Sequence, residues 1–406
     1  MIRNFFVWLH RWAGLVMAGF LVLVSLTGSL LAFWSDLEKL ICPQLYAKPR
    51  PGVAQLDLAT LAERAQALVP QCRVAGVDFF RPDQVWVSFE SHHMDPATFE
   101  SCNLGFNQLL VDPWTGAELG RRNFGDLSQG RVNLLPFIYQ FHSTLKLGST
   151  GYSILGGVAL LWTIDCFVGF YLTLPVTITK FWRKWRPSWL IKRRGSFFRL
   201  NFDLHRASGL WLWASLFIFA WSSVMLNLSP VYDRVTGALF DYTWATEHSV
   251  VAAQHTRGRP PKLDWRAAQQ TGARLMAEQA ATRGFTVGRT VSISFVPGEN
   301  TYYYDARTGR DLSDSNVTAL VLDGDIGAFI SLRLPTGEHS GNTVTSWLYG
   351  LHTAEVFGLS YRIFVGVLGF AITLLSVTGV YIWWKKWRIR KSKAHRSAAA
   401  EVVPES

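Results

Sequence analysis

Four apolar stretches divide the chain, and polar segments of very different length separate them. The stretches run near residues 12–34, 152–175, 209–228 and 363–384. Each is about as long as the roughly 20 helical residues needed to cross a hydrocarbon core of about 30 Å. No small-x-small cleavage site follows the first stretch, which argues for a retained anchor over a signal peptide. The pattern predicts a membrane α-helical protein with four transmembrane helices.

The two long polar segments between the apolar stretches share a second pattern. Helical periodicity near 58–69 and 264–283 is followed by strand-like alternation near 84–89 and 290–295. Each segment also contains Asp-x-x-Thr-Gly, as Asp112–Gly116 and Asp305–Gly309, which is typical of a turn at a strand end. We interpret the two turns as repeat-related, and we expect one α+β module in each segment.

Charge distribution gives the orientation. The formal net charge is +11. Segments 1–11, 179–206 and 385–406 together hold 18 Lys and Arg but only three acids. This is the excess that marks cytoplasmic loops, so it needs no nucleic-acid partner to explain it.

The chain is therefore expected to cross a membrane four times, with both termini in the cytoplasm and two modules on the opposite side. The predicted order is 1–34 N terminus and first helix, 35–148 first module, 149–178 second helix, 179–206 basic cytoplasmic loop, 207–228 third helix, 229–358 second module, 359–384 fourth helix and 385–406 basic tail.

Four histidines occupy repeated motifs at the ends of the apolar stretches. His10 and His205 lie in Leu-His-Arg-x-x-Gly-Leu, 195 residues apart, and His142 and His352 lie in Tyr-x-x-His-x5-Gly, 210 residues apart. A parallel duplication pairs His10 with His205 at the cytoplasmic face and His142 with His352 at the periplasmic face. Facing neutral imidazoles in an apolar bundle suit haem iron, so we expect two haem b groups with these four residues as axial ligands.

Residues beside the first pair fit the same hypothesis. Gly14 and Gly209 follow their histidines by four positions, on the same helical face, where a flat macrocycle could approach the backbone. Arg11 and Arg206 are candidates for pairing with haem propionates. An interfacial anchor role for these His-Arg pairs is the simpler alternative.

Other residues leave more than one interpretation open. Asp165 is the one acid inside an apolar stretch, and a proton relay and a hydrogen bond to a neighbouring helix are equally compatible with it. Gly148 and Gly358 are expected to separate a short helix from the span that follows. Cys42, Cys72 and Cys102 lie in an exported segment, where a Cys72–Cys102 disulfide is one possible pairing.

The repeated His motifs and the Val-Asp-Pro-Trp-Thr-Gly segment at 111–116 resemble the PepSY-associated transmembrane family over nearly the whole chain. The resemblance is strongest to inner-membrane haem-containing reductases of ferric siderophores. It implies a bacterial inner membrane with both modules in the periplasm, a ferric siderophore there as acceptor, and a cytoplasmic reductase or quinol as electron donor. Some relatives append a cytoplasmic flavin and nicotinamide domain, which is not expected in this sequence because its cytoplasmic segments are short and carry no nucleotide fingerprint. Arg121, Arg122 and the run Tyr302–Tyr304 are candidates for facing the acceptor.

Two other classes of function compete with the cytochrome. The chain could be a non-enzymatic periplasmic sensor or interaction protein with structural histidines. It could also be a permease for iron or a siderophore, although neither half shows the broken apolar helices typical of such transporters.

Overall fold

The computed structural model describes residues 1–90, 104–192, 195–243 and 260–401, and the side chains only as far as 392. The chain forms two compact units. The membrane unit comprises Met1–Ala32, Phe141–Val231 and Phe357–Ser406. The sheet unit comprises Phe33–Gln140 and Tyr232–Val356.

Helices make up the membrane unit and cover the sheet in the other unit. In chain order they are α1 (Ile2–Leu31), α2 (Trp34–Ile41), α3 (Leu58–Leu68), α4 (Leu134–Thr144), α5 (Gly148–Thr173), α6 (Phe181–Trp185), α7 (Phe197–Trp211), α8 (Trp213–Asn227), α9 (Ser229–Leu239), α10 (Trp265–Arg283), α11 (Ser340–His352) and α12 (Gly358–Glu401).

Within the described residues, three helices are long and apolar enough to cross a membrane, namely α1, α5 and α12. The pair α7 and α8 passes the same test jointly, but it bends by 69° at Leu212. This break corrects the expectation that neither half contains a broken apolar helix. The bend follows a Ser208-Gly209 pair, and the Ser208 hydroxyl donates to the carbonyl of Leu204 at 2.6 Å. Gly/Ser pairs and such back-bonding are common causes of helix bending. The chain is thus a membrane protein with several apolar helices.

Close backbone approach holds α1 against α12. Ser25 Oγ lies 2.9 Å from Thr373 Oγ1, and Ser29 donates to the carbonyl of Gly366 at 3.0 Å. A Cβ added at Gly369 would lie only 2.0 Å from Ser29 Oγ, so this contact requires glycine. Small residues and interhelical hydrogen bonds of this kind are typical of helix packing in lipid.

The helices of the membrane unit begin earlier than the apolar stretches predict. Helix α1 starts at Ile2 and α7 at Phe197, so His10 and His205 lie inside helices. Hydropathy detects only the apolar part of a helix, and the polar first turns of α1 and α7 escape it. The expected breaks before the later spans are present, since α4 ends at Thr144 and α5 begins at Gly148, with φ +56°.

Eight antiparallel strands form one continuous sheet in the order β4-β3-β2-β1-β5-β6-β7-β8. They are β1 (Val74–Arg81), β2 (Gln84–Phe89), β3 (Gln108–Val111), β4 (Glu118–Arg122), β5 (Val287–Val296), β6 (Thr301–Thr308), β7 (Thr318–Asp323) and β8 (Phe329–Arg333). The two expected modules therefore share a sheet, because β1 of the first half pairs with β5 of the second.

Helices α3 and α10 cover one face of this sheet. Asp57 and Asp264 cap their N termini by accepting from Thr60 N and Ala267 N, respectively. The apolar core lies beneath them and includes Leu61, Val87 and Ile293, all fully buried. Cys72, at the edge of this core, is disulfide-bonded, whereas Cys42 and Cys166 are free thiols. Cys102 lies outside the described residues.

The predicted pairing of the two Asp-x-x-Thr-Gly turns is wrong. The first turn joins β3 to β4, and Asp112 accepts from Trp114 N and Thr115 N. Asp305 instead lies within β6, where it accepts from Ser292 Oγ. The true counterpart joins β7 to β8, where Asp323 accepts from the amides of the residues two and three positions later. This short motif is common enough to recur without common descent.

Candidate cofactor site

Helices α1 and α7 bring His10 and His205 together. The centroids of the two imidazole rings are 6.1 Å apart, and the ring planes are inclined by 58°. Both side chains are partly shielded from solvent. The sequence predicts this pair from the duplication alone, and the structure places the two rings next to each other.

The Nδ1 atom of each histidine is engaged by an acceptor on another helix. His10 Nδ1 lies 2.9 and 3.0 Å from the two carboxylate oxygens of Asp165 on α5. His205 Nδ1 lies 3.0 Å from the carbonyl of Leu375 on α12 and 3.2 Å from Thr378 Oγ1. A carbonyl or carboxylate can only accept, so Nδ1 carries the proton and donates in both cases. The Nε2 atom of each ring is then the nitrogen suited to a metal.

A glycine on the same partner helix lies against each ring. A Cβ added at Gly169 of α5 would lie 3.5 Å from His10 Cε1, and one added at Gly379 of α12 would lie 3.1 Å from His205 Cε1. Gly169 and Gly379 are 210 residues apart, the same separation as His142 and His352. The sequence shows these glycines as repeat-related, but it does not reveal that they pack on the histidine rings.

The geometry fits a metal held between the two rings. Metal–imidazole bonds are about 2 Å long, which places the centroids of two rings on opposite sides of one iron about 6 Å apart. The separation of 6.1 Å matches that arrangement. A Cβ added at Gly14 would meet nothing within 4 Å, so there is free space one turn after His10. At Gly209 an added Cβ would lie 3.8 Å from Leu375 Cδ2.

The two arginines beside the histidines differ in their contacts. Arg206 donates to Asp203 Oδ1 at 2.9 Å and to the carbonyl of Pro187 at 2.6 Å. Asp203 is fully buried and also accepts from Arg199. Arg11 is half-buried and has no hydrogen-bond or ion-pair partner in the part of the chain that the structure describes. Of the two arginines predicted to pair with haem propionates, Arg206 already pairs with Asp203, whereas Arg11 has a free guanidinium among the described residues.

The second pair of histidines divides between the two units. His142, on α4, belongs to the membrane unit, and its Nδ1 lies 3.0 Å from Thr27 Oγ1 of α1. A Cβ added at Gly28 would lie 3.0 Å from His142 Cε1, so this ring also lies against a glycine. His352 is the last residue of α11 in the sheet unit. The pairing of His142 with His352 stays a prediction.

Most of the residues predicted to face an acceptor are paired with other side chains or buried in the core. Arg122 is fully buried and donates to Glu38 at 2.7 Å, and Arg121 pairs with Glu118. Tyr302 and Tyr304 point into the core beneath the helices. Tyr303 lies on the opposite face and donates to Glu299 at 3.1 Å, and burial raises its pKa to about 12. Successive side chains of a strand point to opposite faces of the sheet, so Tyr303 lies on the other face from Tyr302 and Tyr304.

Fold and site together define a membrane protein with several apolar helices, two of which bring together a pair of histidines whose Nδ1 atoms are held by other helices. The chain belongs to the PepSY-associated TM region family, whose model matches residues 7–386. This confirms the resemblance expected from the His motifs. None of the curated proteins matches the chain.

Proposed function

We propose that the protein is a di-haem b-type cytochrome of the bacterial inner membrane that passes electrons across the membrane to a ferric siderophore in the periplasm. The observation that carries the proposal is the adjacent pair His10 and His205, with ring centroids 6.1 Å apart and both Nδ1 atoms engaged. Two imidazoles this close together, each with its Nδ1 donating to another helix, keep both Nε2 atoms available as ligands.

Haem b, when bound, supplies a one-electron couple. His10 and His205 would both bind the haem iron, and a haem held by two histidines would favour electron transfer over oxygen binding. Asp165, Leu375 and Thr378 fix the orientation of the two imidazoles. Arg11 is available to neutralise a carboxylate at the same end of the bundle.

His142 and His352 are proposed to hold the second haem near the periplasmic face. Support comes from their repeated Tyr-x-x-His-x5-Gly motif and from the packing of His142 against Gly28 and Thr27. The distribution of Lys and Arg supports a cytoplasmic location for both termini and the loop at 179–206. A fourth transmembrane span in this scheme is the bent pair α7 and α8.

The proposed acceptor rests on resemblance and on metal chemistry. Hard oxygen chelators bind ferric iron more tightly than ferrous iron because the ferric ion carries more charge. Transfer of one electron to the bound ferric ion therefore weakens the complex and releases ferrous iron without destroying the chelator. A cytoplasmic reductase or quinol would supply the electron.

Haem content tests the proposal directly. Pyridine haemochrome analysis of the fully loaded protein is expected to give about two b-type haems per chain, with the sharp reduced bands of bis-histidine ligation. His205→Ala should remove one of them, since the iron loses an axial ligand. His339→Ala is the matched control, because His339 is paired with Asp241 in the sheet unit.

A correctly folded protein that binds no haem would overturn the cytochrome and favour a sensor or interaction protein. Retention of both haems in His205→Ala would remove His205 from the site.

A further inference from the structure

The two histidines of the first pair are held by different acceptors. Position 165 and position 375 are repeat-related, 210 residues apart. At 375 the second repeat uses the backbone carbonyl of Leu375 to engage His205. At 165 the first repeat uses a side-chain carboxylate to engage His10. A duplicated site has therefore acquired one charged partner.

The carboxylate of Asp165 is directed at His10. Its side chain is 11% exposed, and His10 is its one hydrogen-bond partner among the residues that the structure describes. Both oxygens lie within 3.0 Å of the same nitrogen. No Lys or Arg in that part of the chain forms an ion pair with it. Its charge therefore acts mainly on the imidazole.

A carboxylate at Nδ1 strengthens the donor at Nε2. It draws the Nδ1 proton towards itself, leaves more electron density on the ring and makes the imidazole a more basic ligand. A more basic ligand stabilises the ferric state over the ferrous state, because the ferric state carries one more positive charge. In an apolar bundle that charge difference is weakly screened.

We propose that Asp165 is a positioning residue that holds His10 and lowers the reduction potential of the haem bound between His10 and His205. This inference rests on the proposed function. It selects the hydrogen bond to a neighbouring helix from the two roles that the sequence leaves open for Asp165, and it assigns that bond an electronic consequence.

Asp165→Asn tests the inference, because asparagine keeps the shape and an acceptor but removes the charge. In a spectroelectrochemical titration of the loaded full-length protein, the reduction equilibrium of one haem should shift at least tenfold towards the ferrous form, about 59 mV for a one-electron couple. The other haem should keep its potential. The low-spin ferric EPR signal of the shifted haem should also change.

Two further variants separate charge from packing. Asp165→Glu restores the charge and should bring the potential back towards that of the wild type. Thr378→Val removes a side-chain neighbour of His205 but keeps the Leu375 carbonyl, so neither potential should move by more than about twofold in equilibrium, roughly 18 mV. Loss of the haem in Asp165→Asn with retention in Asp165→Glu also supports a charge that holds His10.

Unchanged potentials in Asp165→Asn with both haems bound would overturn the inference and leave the proposed function intact. Loss of the haem in both the Asn and the Glu variants would also overturn it, because the charge would then not be the decisive feature. A wild-type protein without haem would instead overturn the proposed function.

Discussion

In the first half of the sheet unit, Arg122 at the end of β4 reaches Glu38 of α2 at 2.7 Å, and both side chains are buried. Glu38 also accepts from Tyr46 at 2.6 Å. In the second half, Asp233 of α9 is related to Glu38 by the offset of 195 and accepts from Tyr242 at 2.6 Å. The acid–tyrosine contact is thus present twice, but the buried ion pair belongs to the first half.

The arginine at the corresponding position of the second half, Arg333, interacts electrostatically with a different acid, Asp305. Arg333, at the end of β8, corresponds to Arg122, and it lies close enough to Asp305 to favour the ionised form of that carboxyl. Burial is the larger influence and raises the pKa of Asp305. The two halves therefore carry polar side chains at related positions but pair them with different partners.

The membrane unit shows the same relation. Gly169 and Gly379 pack on His10 and His205 in both repeats, but the Nδ1 acceptor is Asp165 in one and a carbonyl in the other. What the two halves share is the close approach of ring and helix. They differ in the charge of the group that accepts from the histidine Nδ1, and one substitution can change that charge without moving the backbone.

The ion pair of the first half should have the largest effect on stability. Glu38→Ala leaves Arg122 buried without its counter-ion, which should cost about 3–5 kcal/mol of unfolding free energy. Asp233→Ala is the matched variant and loses a hydrogen bond to Tyr242, for which about 1–2 kcal/mol is expected. Chemical denaturation of the two variants measures the difference. Equal losses would show that the halves are not distinguished by this pair.

The histidine–glycine contacts should come next. Gly379→Ala puts a methyl group 3.1 Å from His205 Cε1, tighter than ordinary contact, and overpacking of this kind costs about 1–3 kcal/mol. Gly169→Ala puts the methyl 3.5 Å from His10 Cε1, which is ordinary van der Waals contact. Thermal unfolding should therefore show a loss for the first variant and little change for the second. The reverse order would contradict the packing described for the two rings.

The junction of β1 and β5 should show its contribution as a pH dependence of stability. Desolvation, and then the nearby Asp305 carboxylate, raise the pKa of Asp78 on β1 from 3.8 to about 6. Because the folded state holds this proton more tightly, stability should fall as the pH rises from about 4 to about 6. Asp78→Asn should flatten that part of the profile of unfolding temperature against pH. An unchanged slope would remove Asp78 as its source.

Much of this arrangement is readable in the sequence. The pair His10 and His205 follows from a repeated motif, and the membrane-crossing helices follow from apolar stretches of sufficient length. The breaks at Gly148 and Gly358 follow from spacing, since neither glycine lies on the face of its histidine. All of these features depend on local order along the chain.

The rest depends on contacts between distant segments. The sequence marks Asp165 as unusual, but it does not indicate that the carboxylate lies against His10. It gives no sign that β1 and β5 join, because both strands have the alternation of any half-buried strand. The bend at Leu212 is also missed, since no proline is present and Ser208-Gly209 differs from its counterpart in α1 by one residue.

The shared sheet also imposes an order on biosynthesis. Strand β1 must wait for β5, which emerges about 200 residues later, and at about 5–20 residues per second that takes on the order of 10–40 s. During this interval the first four strands present an unpaired inner edge, the kind of surface that invites pairing with another chain. The first half therefore stays open to incorrect strand pairing until β5 has been made.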